Sequence, residues 1–335
     1  MNKKNKSLLL CTTPLQMLIA EKIIKINSHE EFDLLVINPT RNDKYNYYFN
    51  RVSKLCNSSL YYEGDIDTSR DSLYIKKFHH LISFMRFNQL LKSHNIHKQY
   101  SKIYVASIDD LYFRYIISKN KDTQIYTFDD GTANIIDSSV YYTKKRPKLA
   151  QRIKWRILGL KFYEQDLRKL TTLHYTIYKD VPNITTKTKY IELFNEPMYN
   201  AIGVRNTIRI FLGQPLKKIS DKYNGSYIDK IMRELKVDLY FPHPRETDYP
   251  KGKYKILNSP LIFEDYLIQY LTDNPTTYIY VYSFVSGSLL NIAHFDRVKA
   301  IYIHDKDLYF KFKGFYKFSQ EKLNIKSLSI EEQLI

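Results

Sequence analysis

The stretch Ser7-Leu8-Leu9-Leu10-Cys11-Thr12-Thr13-Pro14-Leu15-Gln16-Met17-Leu18-Ile19-Ala20 decides how the chain is read. Lys3, Lys4 and Lys6 precede it, so a basic region followed by an apolar one mimics a secretory signal. Pro14 and Gln16 interrupt the apolar run, however, and Glu21 and Lys22 follow with no convincing small-residue cleavage site. The pattern instead predicts a strand over Ser7 to Thr12, a turn at Thr13-Pro14 and a helix from Leu15 to Ile26. No apolar stretch reaches the roughly 18 residues that a membrane-spanning helix needs.

The same alternation continues along the chain. Short, nearly continuous apolar strands are expected at Asp33 to Ile37, Lys102 to Ala106 and Gln124 to Phe128, with helices at Asp43 to Cys56, Ser72 to Leu91 and Leu111 to Ser118. It restarts with strands at Thr207 to Leu212, Asp238 to Phe241, Thr277 to Tyr282 and Lys299 to Ile303. Their helices fall at Ser226 to Leu235, Ile262 to Leu271 and Ser286 to Ala293, and a less regular stretch from Thr171 to Val204 separates the halves. Strands buried on both faces and alternating with helices mean α/β structure with parallel sheets. The expected architecture is two doubly wound Rossmann-like domains facing a cleft, residues 1–195 and 196–335. Ligands in such sheets bind beyond the carboxyl ends of the strands.

Composition narrows the function. The chain has 335 residues, 44% hydrophobic and 26% charged, an ordinary globular balance and more than one core accommodates. With 9 glycines, 11 prolines and no repeat period, solenoid and fibrous classes drop out. The 31 tyrosines follow the richness in Asn, Ile and Lys and read as codon bias. Two cysteines, Cys11 and Cys56, make neither a disulfide framework nor a four-ligand zinc site. The net charge of +17 draws nucleic acid, anionic lipid or anionic substrates. Lys and Arg are spread along the chain without an Arg-rich arm or a nucleic-acid-binding signature, so nucleic acid is not the expected partner.

Four groups at strand ends carry candidate chemistry. Asp129-Asp130-Gly131 directly follows a strand, where adjacent carboxylates suit a general base, although Asp-Gly is equally a common turn pair. In Phe241-Pro242-His243-Pro244-Arg245 two prolines fix the backbone around a histidine that suits a general acid or phosphate donor; an exposed loop histidine is the alternative. Ser283, Ser286, Gly287 and Ser288 precede a helix, where hydroxyls and a glycine make either an anion site or plain capping. Glu264, after Ile262 and Phe263, begins another helix; it complements the dipole or accepts ribose hydroxyls. Metal chemistry finds little support: Asp65-Ile66-Asp67 is poorly placed in a loop, and neither His79-His80 nor His94 with His97 completes a ligand pattern.

The order Asp-Asp-Gly, His-Pro, then serines resembles the motif series of bacterial sialyltransferases, above all glycosyltransferase family 52, which sialylates lipooligosaccharide. Cys11-Thr12-Thr13-Pro14-Leu15-Gln16 and Ile210-Phe211-Leu212-Gly213-Gln214-Pro215-Leu216 resemble that family too, so the likeness covers most of the chain. It implies a GT-B fold and an inverting, metal-independent transfer from CMP-N-acetylneuraminic acid to a terminal galactose, α2,3, with no cofactor. It implies that His243 serves the leaving CMP phosphate. Ser286, Gly287 and Ser288 would hold the phosphate, and Phe263 and Glu264 the cytosine and ribose. Gly213, Pro242, Pro244, Ile262 and Ser283 join the donor side, and Thr13, Gln16, Asp129 and Gly131 the acceptor side. For the base, family 52 points to the aspartate matching Asp221, related sialyltransferases to the one matching Asp130. Ser-Gly-Ser replaces the double serine of the pattern. A glucosyl-transferring activity also occurs in the family, and the motifs do not separate donors.

The segment Arg152 to Lys169 interleaves basic residues with Ile153, Trp155, Ile157, Leu158, Leu160 and Phe162. As one helix it would lie on an anionic membrane or pack one face on the core. A cytoplasmic protein, peripheral on the inner face of the membrane, is the expected setting. A basic nucleic-acid-binding protein is the reading from another class. A homodimer is neither required nor excluded by the sequence.

Overall fold

The computed structural model describes residues 6–39, 42–64, 73–96, 99–120, 122–139, 141–142, 147–198, 203–246 and 250–333, with the side chains of 73–82 and 332–333 outside that description. Asp65 to Asp67, His97 and the side chains of His79 and His80 therefore lie outside the described residues. The chain divides into two compact units, Met1–Ile191 and Glu192–Ile335.

In the first unit, β1 (Lys6–Cys11), buried from Ser7 to Cys11, leads into α1 (Pro14–Ile26). The helix starts where the sequence dictates. Thr13 is extended and its hydroxyl accepts the Gln16 amide, and Pro14 supplies a preset φ at the first turn. There follow β2 (Glu31–Ile37), α2 (Asp43–Ser53), β3 (Ser58–Tyr62), α3 (Leu73–Ser93), β4 (Lys102–Val105), α4 (Leu111–Lys119) and β5 (Gln124–Phe128). The last third holds α5 (Leu149–Ile157), α6 (Glu164–Leu170), β6 (Thr171–Thr176) and β7 (Thr188–Tyr190). The sheet has seven parallel strands in the order β3-β2-β1-β4-β5-β6-β7.

The second unit repeats the plan with β8 (Asn206–Leu212), α7 (Gly225–Glu234), β9 (Leu239–Phe241), β10 (Lys255–Ile256), α8 (Phe263–Asp273), β11 (Thr277–Ser283) and α9 (Ser288–Ile292). It closes with β12 (Val298–His304), α10 (Lys306–Lys311), α11 (Lys313–Leu323), β13 (Lys326–Ser329) and α12 (Ile330–Gln333). Its six strands, again parallel, run β10-β9-β8-β11-β12-β13. Each unit therefore has an order reversal beside its first strand, between β1 and β4 and between β8 and β11.

Three stretches differ from the sequence-based expectation. The segment expected to be irregular contains β6 and β7; in Thr171-Thr172-Leu173-His174-Tyr175-Thr176 the buried polar residues His174 and Thr176 break the apolar signature. The second unit begins at Glu192 rather than at residue 196; within it the Glu196 carboxylate accepts the Asp296 amide and the Arg297 Nε at 2.5 and 2.7 Å. The basic stretch 152–169 is two helices, not one. Gly159 adopts φ 85° between them, and Arg114 of α4 gathers the pieces. The buried Arg114 guanidinium lies 4.4 Å from the Trp155 ring centroid, and donates to the Phe162 carbonyl and to Glu164, each at 2.9 Å.

Burial pushes the Cys11 thiol up and raises that of Cys56 to about 12, so neither is a ready nucleophile. Among the described residues, no helix is long and apolar enough to cross a membrane. We expect Arg114→Ala to lower stability by about 3 kcal/mol, because it removes a buried, multiply bonded cation. Chemical denaturation checks this, and a loss below roughly 1 kcal/mol would assign the packing of α5 to other contacts.

Candidate active site

At the reversal of the first sheet, side chains from three strand ends and one helix meet. Gln16, fully buried in the first turn of α1, accepts the Thr12 amide through Oε1 at 2.5 Å, after the end of β1. Its Nε2 donates to Ser107 Oγ, just beyond β4, at 3.1 Å and to Asp130 Oδ1, just beyond β5. Asp130 Oδ2 accepts the Tyr141 hydroxyl at 2.5 Å, and that hydroxyl is also 3.0 Å from Oδ1 of the exposed Asp109. Burial raises the Asp130 carboxyl to about 6, with the nearby Asp109 charge adding to the effect. The result is a carboxylate whose proton exchanges near neutral pH, held rigidly at a sheet edge.

Its neighbour has a different fate. Asp129 is completely buried and accepts four hydrogen bonds from its own chain: His174 Nε2 at 2.9 Å, Asn183 Nδ2 at 3.1 Å, Thr176 Oγ1 at 2.8 Å and the Ile177 amide at 2.7 Å. These fill its acceptor positions and tie the end of β5 to that of β6. Gln16 holds Asp130 directly, whereas Asp129 ties β5 to β6 and Thr13 caps α1. Gly131 has open space around it but a φ of 92°, so backbone geometry and not crowding requires glycine there.

The second unit builds its site around His243. Pro242 and Pro244 flank it in the turn after β9, and the Arg245 amide donates to His243 Nδ1 at 3.1 Å. That bond makes Nδ1 an acceptor and puts the proton of the neutral ring on Nε2. Glu246, a buried residue absent from the sequence-based candidates, locks the turn: its carboxylate accepts the His243 amide at 3.1 Å and the Tyr240 hydroxyl at 2.7 Å. A Cβ on Gly213 would overlap Glu246 Oε2 and the Tyr240 hydroxyl, so a larger residue at the end of β8 must push this pair aside. Gln214, Lys217, Lys218, Tyr223, Arg245 and Glu246 line a pocket beside the turn and give it a cationic rim.

The other donor-side candidates lie along the same edge. Ser283, fully buried at the end of β11, donates to the Leu212 carbonyl at 3.1 Å across the reversal. Ile262 and Phe263 are buried, and the Phe263 ring packs edge-on to Phe241 at 5.3 Å, which leaves its main chain as the part able to meet a base. Glu264 is buried and accepts Asn291 Nδ2 at 2.7 Å; burial raises its carboxyl. Asn291 of α9, whose buried Oδ1 lacks a hydrogen-bond partner, was not a sequence-based candidate. Ser286 Oγ accepts the Ser288 amide at 3.3 Å, and the Tyr302 hydroxyl donates to the Ser286 carbonyl at 2.7 Å. Because α9 has only five residues, local N–H and O–H groups rather than a long helix dipole would meet an anion here.

Asp221 sits apart from these contacts, exposed on the loop before α7, with its carbonyl accepting Asn224 Nδ2 at 3.2 Å. Asp221 and Asp130 lie in different units. Among the described residues no cluster of three or more His, Cys, Asp or Glu side chains is disposed to hold a metal ion.

Comparison with known proteins agrees with this layout. The chain is 31% identical over 293 residues to the CMP-N-acetylneuraminate:beta-galactoside alpha-2,3-sialyltransferase of Pasteurella multocida (strain Pm70), covering 85% of this chain and 87% of that protein. It is 30% identical over 306 residues to the N-acetyllactosaminide alpha-2,3-sialyltransferase of Neisseria meningitidis serogroup A, covering 87% and 76%. Among solved structures, Arabidopsis thaliana UGT89C1 complexed with UDP-L-rhamnose superposes with a TM-score of 0.51 at 10% identity, over 98% of this chain and 86% of that one. That likeness concerns the fold alone, two Rossmann-like domains of the GT-B kind. Residues 29–307 match the model of glycosyltransferase family 52, and the chain belongs to that family.

Proposed function

We propose that the protein is an inverting, metal-independent α2,3-sialyltransferase that moves sialic acid from CMP-N-acetylneuraminic acid to a terminal galactose. Relatives named for that activity support the reading over most of the chain. The observation that carries the mechanism is the fixed tautomer of His243. With Nδ1 accepting from the chain, Nε2–H is the donor at the strand end. The galactose hydroxyl attacks the anomeric carbon of the sialic acid as the bond to the CMP phosphate oxygen breaks. The bonding pair passes to that oxygen, and His243 Nε2 donates its hydrogen bond or proton to the phosphate. A carboxylate takes the proton of the attacking hydroxyl. Single displacement inverts the carbon, and no metal is needed where cationic and N–H groups meet the phosphate charge.

On the donor side Gly213, Pro242 and Pro244 shape the His243 turn, and Ser286, Gly287 and Ser288 face the phosphate. The Phe263 main chain and Glu264 serve cytosine and ribose. Two carboxylates answer the description of the base: Asp221 by its place in the family pattern, Asp130 by its braced position and raised pKa.

The deciding experiment is CMP release from CMP-sialic acid with lactose as acceptor, in EDTA. We expect turnover to persist there and to fall by about a hundredfold or more in His243→Ala. Loss in EDTA with rescue by Mn²⁺, or wild-type turnover in His243→Ala, would overturn the mechanism.

The crowding at Gly213 generates a second expectation. Gly213→Ala forces Glu246 and the His243 amide aside, so turnover should drop by roughly ten- to a hundredfold with the near-ultraviolet circular dichroism unchanged. Unaltered turnover would uncouple Glu246 from the placement of His243.

A pH profile separates the two bases. The base must be deprotonated to act, so a carboxyl raised to about 6 gives a rate that climbs as pH rises through 6. If Asp130 is the base, Asp130→Asn abolishes that inflection and most turnover, while Asp221→Asn leaves both. The reverse outcome assigns the base to Asp221, and wild-type rates in both variants exclude the pair.

A further inference from the structure

Helix α5 shows a surface that neither strand-edge site uses. Leu149, Ile153 and Ile157 are 68%, 53% and 80% exposed, although each is large and apolar. They recur every fourth residue, and at about 100° per residue they form one stripe roughly 80° wide. Trp155 projects from nearly the opposite side of the helix and is buried against Arg114. The helix is therefore anchored through Trp155 with its apolar stripe turned outward.

The surroundings of the stripe identify what covers it. Arg152 and Arg156 border it on one side, Lys154 borders it on the other, and Lys148 precedes it; all four are exposed. No acidic residue occurs anywhere from position 138 to 163, in a chain of net charge +17. A shallow apolar groove lined by Phe84, Leu111, Trp155 and Leu158 continues the patch toward the body of the unit. An apolar stripe rimmed by cations complements a surface that is apolar beneath and anionic on top. A second copy of the chain fits poorly, because a twofold contact through this face would bring the cationic rims together.

We propose that α5 docks the protein peripherally on an anionic bilayer. Leu149, Ile153 and Ile157 enter the headgroup boundary, and Lys148, Arg152, Lys154 and Arg156 lie at the level of the lipid phosphates. The docking stands on this surface alone and is independent of the donor and the acceptor of the transfer reaction.

Flotation of the purified full chain with phosphatidylcholine vesicles, with and without phosphatidylglycerol, tests the proposal. Binding is expected only with the anionic lipid and should weaken as salt is raised. Ile153→Ser with Ile157→Ser should reduce it by about tenfold or more. Arg152→Gln with Arg156→Gln, an exposed change that spares the apolar stripe, should reduce it by a similar factor of about ten. Sialyl transfer to soluble lactose, should that be the reaction, should be unchanged in all four substitutions. Equal binding to neutral vesicles, or wild-type binding by either double variant with its circular dichroism intact, would overturn the proposal. So would failure to bind vesicles together with a dimer that the Ile153→Ser, Ile157→Ser change dissociates, which would make the face a self-association surface.

Discussion

In each unit the first strand lies inside the sheet, and the chain reaches its far side only by reversing the direction in which strands are laid down. Helices leaving the first strand and the strand beyond the reversal pass to opposite faces, so a crevice opens at their carboxyl ends. Everything of chemical interest follows from that constraint. Thr12 and Ser107 face each other across one reversal, and Leu212 and Ser283 across the other. The constraint also explains why, within each unit, site residues from distant points of the sequence come to the same edge of its sheet.

Building a reactive edge on a parallel sheet requires buried polar groups, and at the first edge the protein satisfies Asp129 and Gln16 from its own chain. Asp129 and Asp130 are consecutive, yet the first is consumed by four donors that lock β5 to β6 while the second is left with a raised pKa beside Tyr141. A buried carboxylate without donors is costly, and the four donors around Asp129 remove that cost. Gln16 serves in the same way, as its amide spans Thr12, Ser107 and Asp130.

The second unit relies on backbone restriction and on tyrosines. Pro242 and Pro244 limit the His243 turn, and Glu246 closes it through Tyr240, whose ring is fully buried. Tyr302, equally buried, fixes the Ser286 carbonyl at the start of α9. Composition alone presents these tyrosines as codon bias, but at these two positions the rigid ring reaches from the core and the hydroxyl pins a site loop.

The doubly wound class follows from local pattern alone, because strands buried on both faces must be nearly continuous apolar runs. Local pattern also puts Asp129-Asp130-Gly131, Pro242-His243-Pro244 and Ser286-Gly287-Ser288 beyond the carboxyl ends of strands, where the structure has them. It did not reveal β6, where His174 and Thr176 interrupt the apolar pattern because their partner, Asp129, lies 45 and 47 residues away. Nor did it reveal Glu246, Asn291, Ser107 or Tyr141, each of which matters through a neighbour it meets only in the fold. The break at Gly159, which turns one supposed basic helix into an anchored α5 and a separate α6, likewise depends on Arg114, distant in the chain. Local patterns report what a residue's own segment must bury, whereas the state of a buried charge depends on donors supplied by other segments, and only the tertiary structure brings those together.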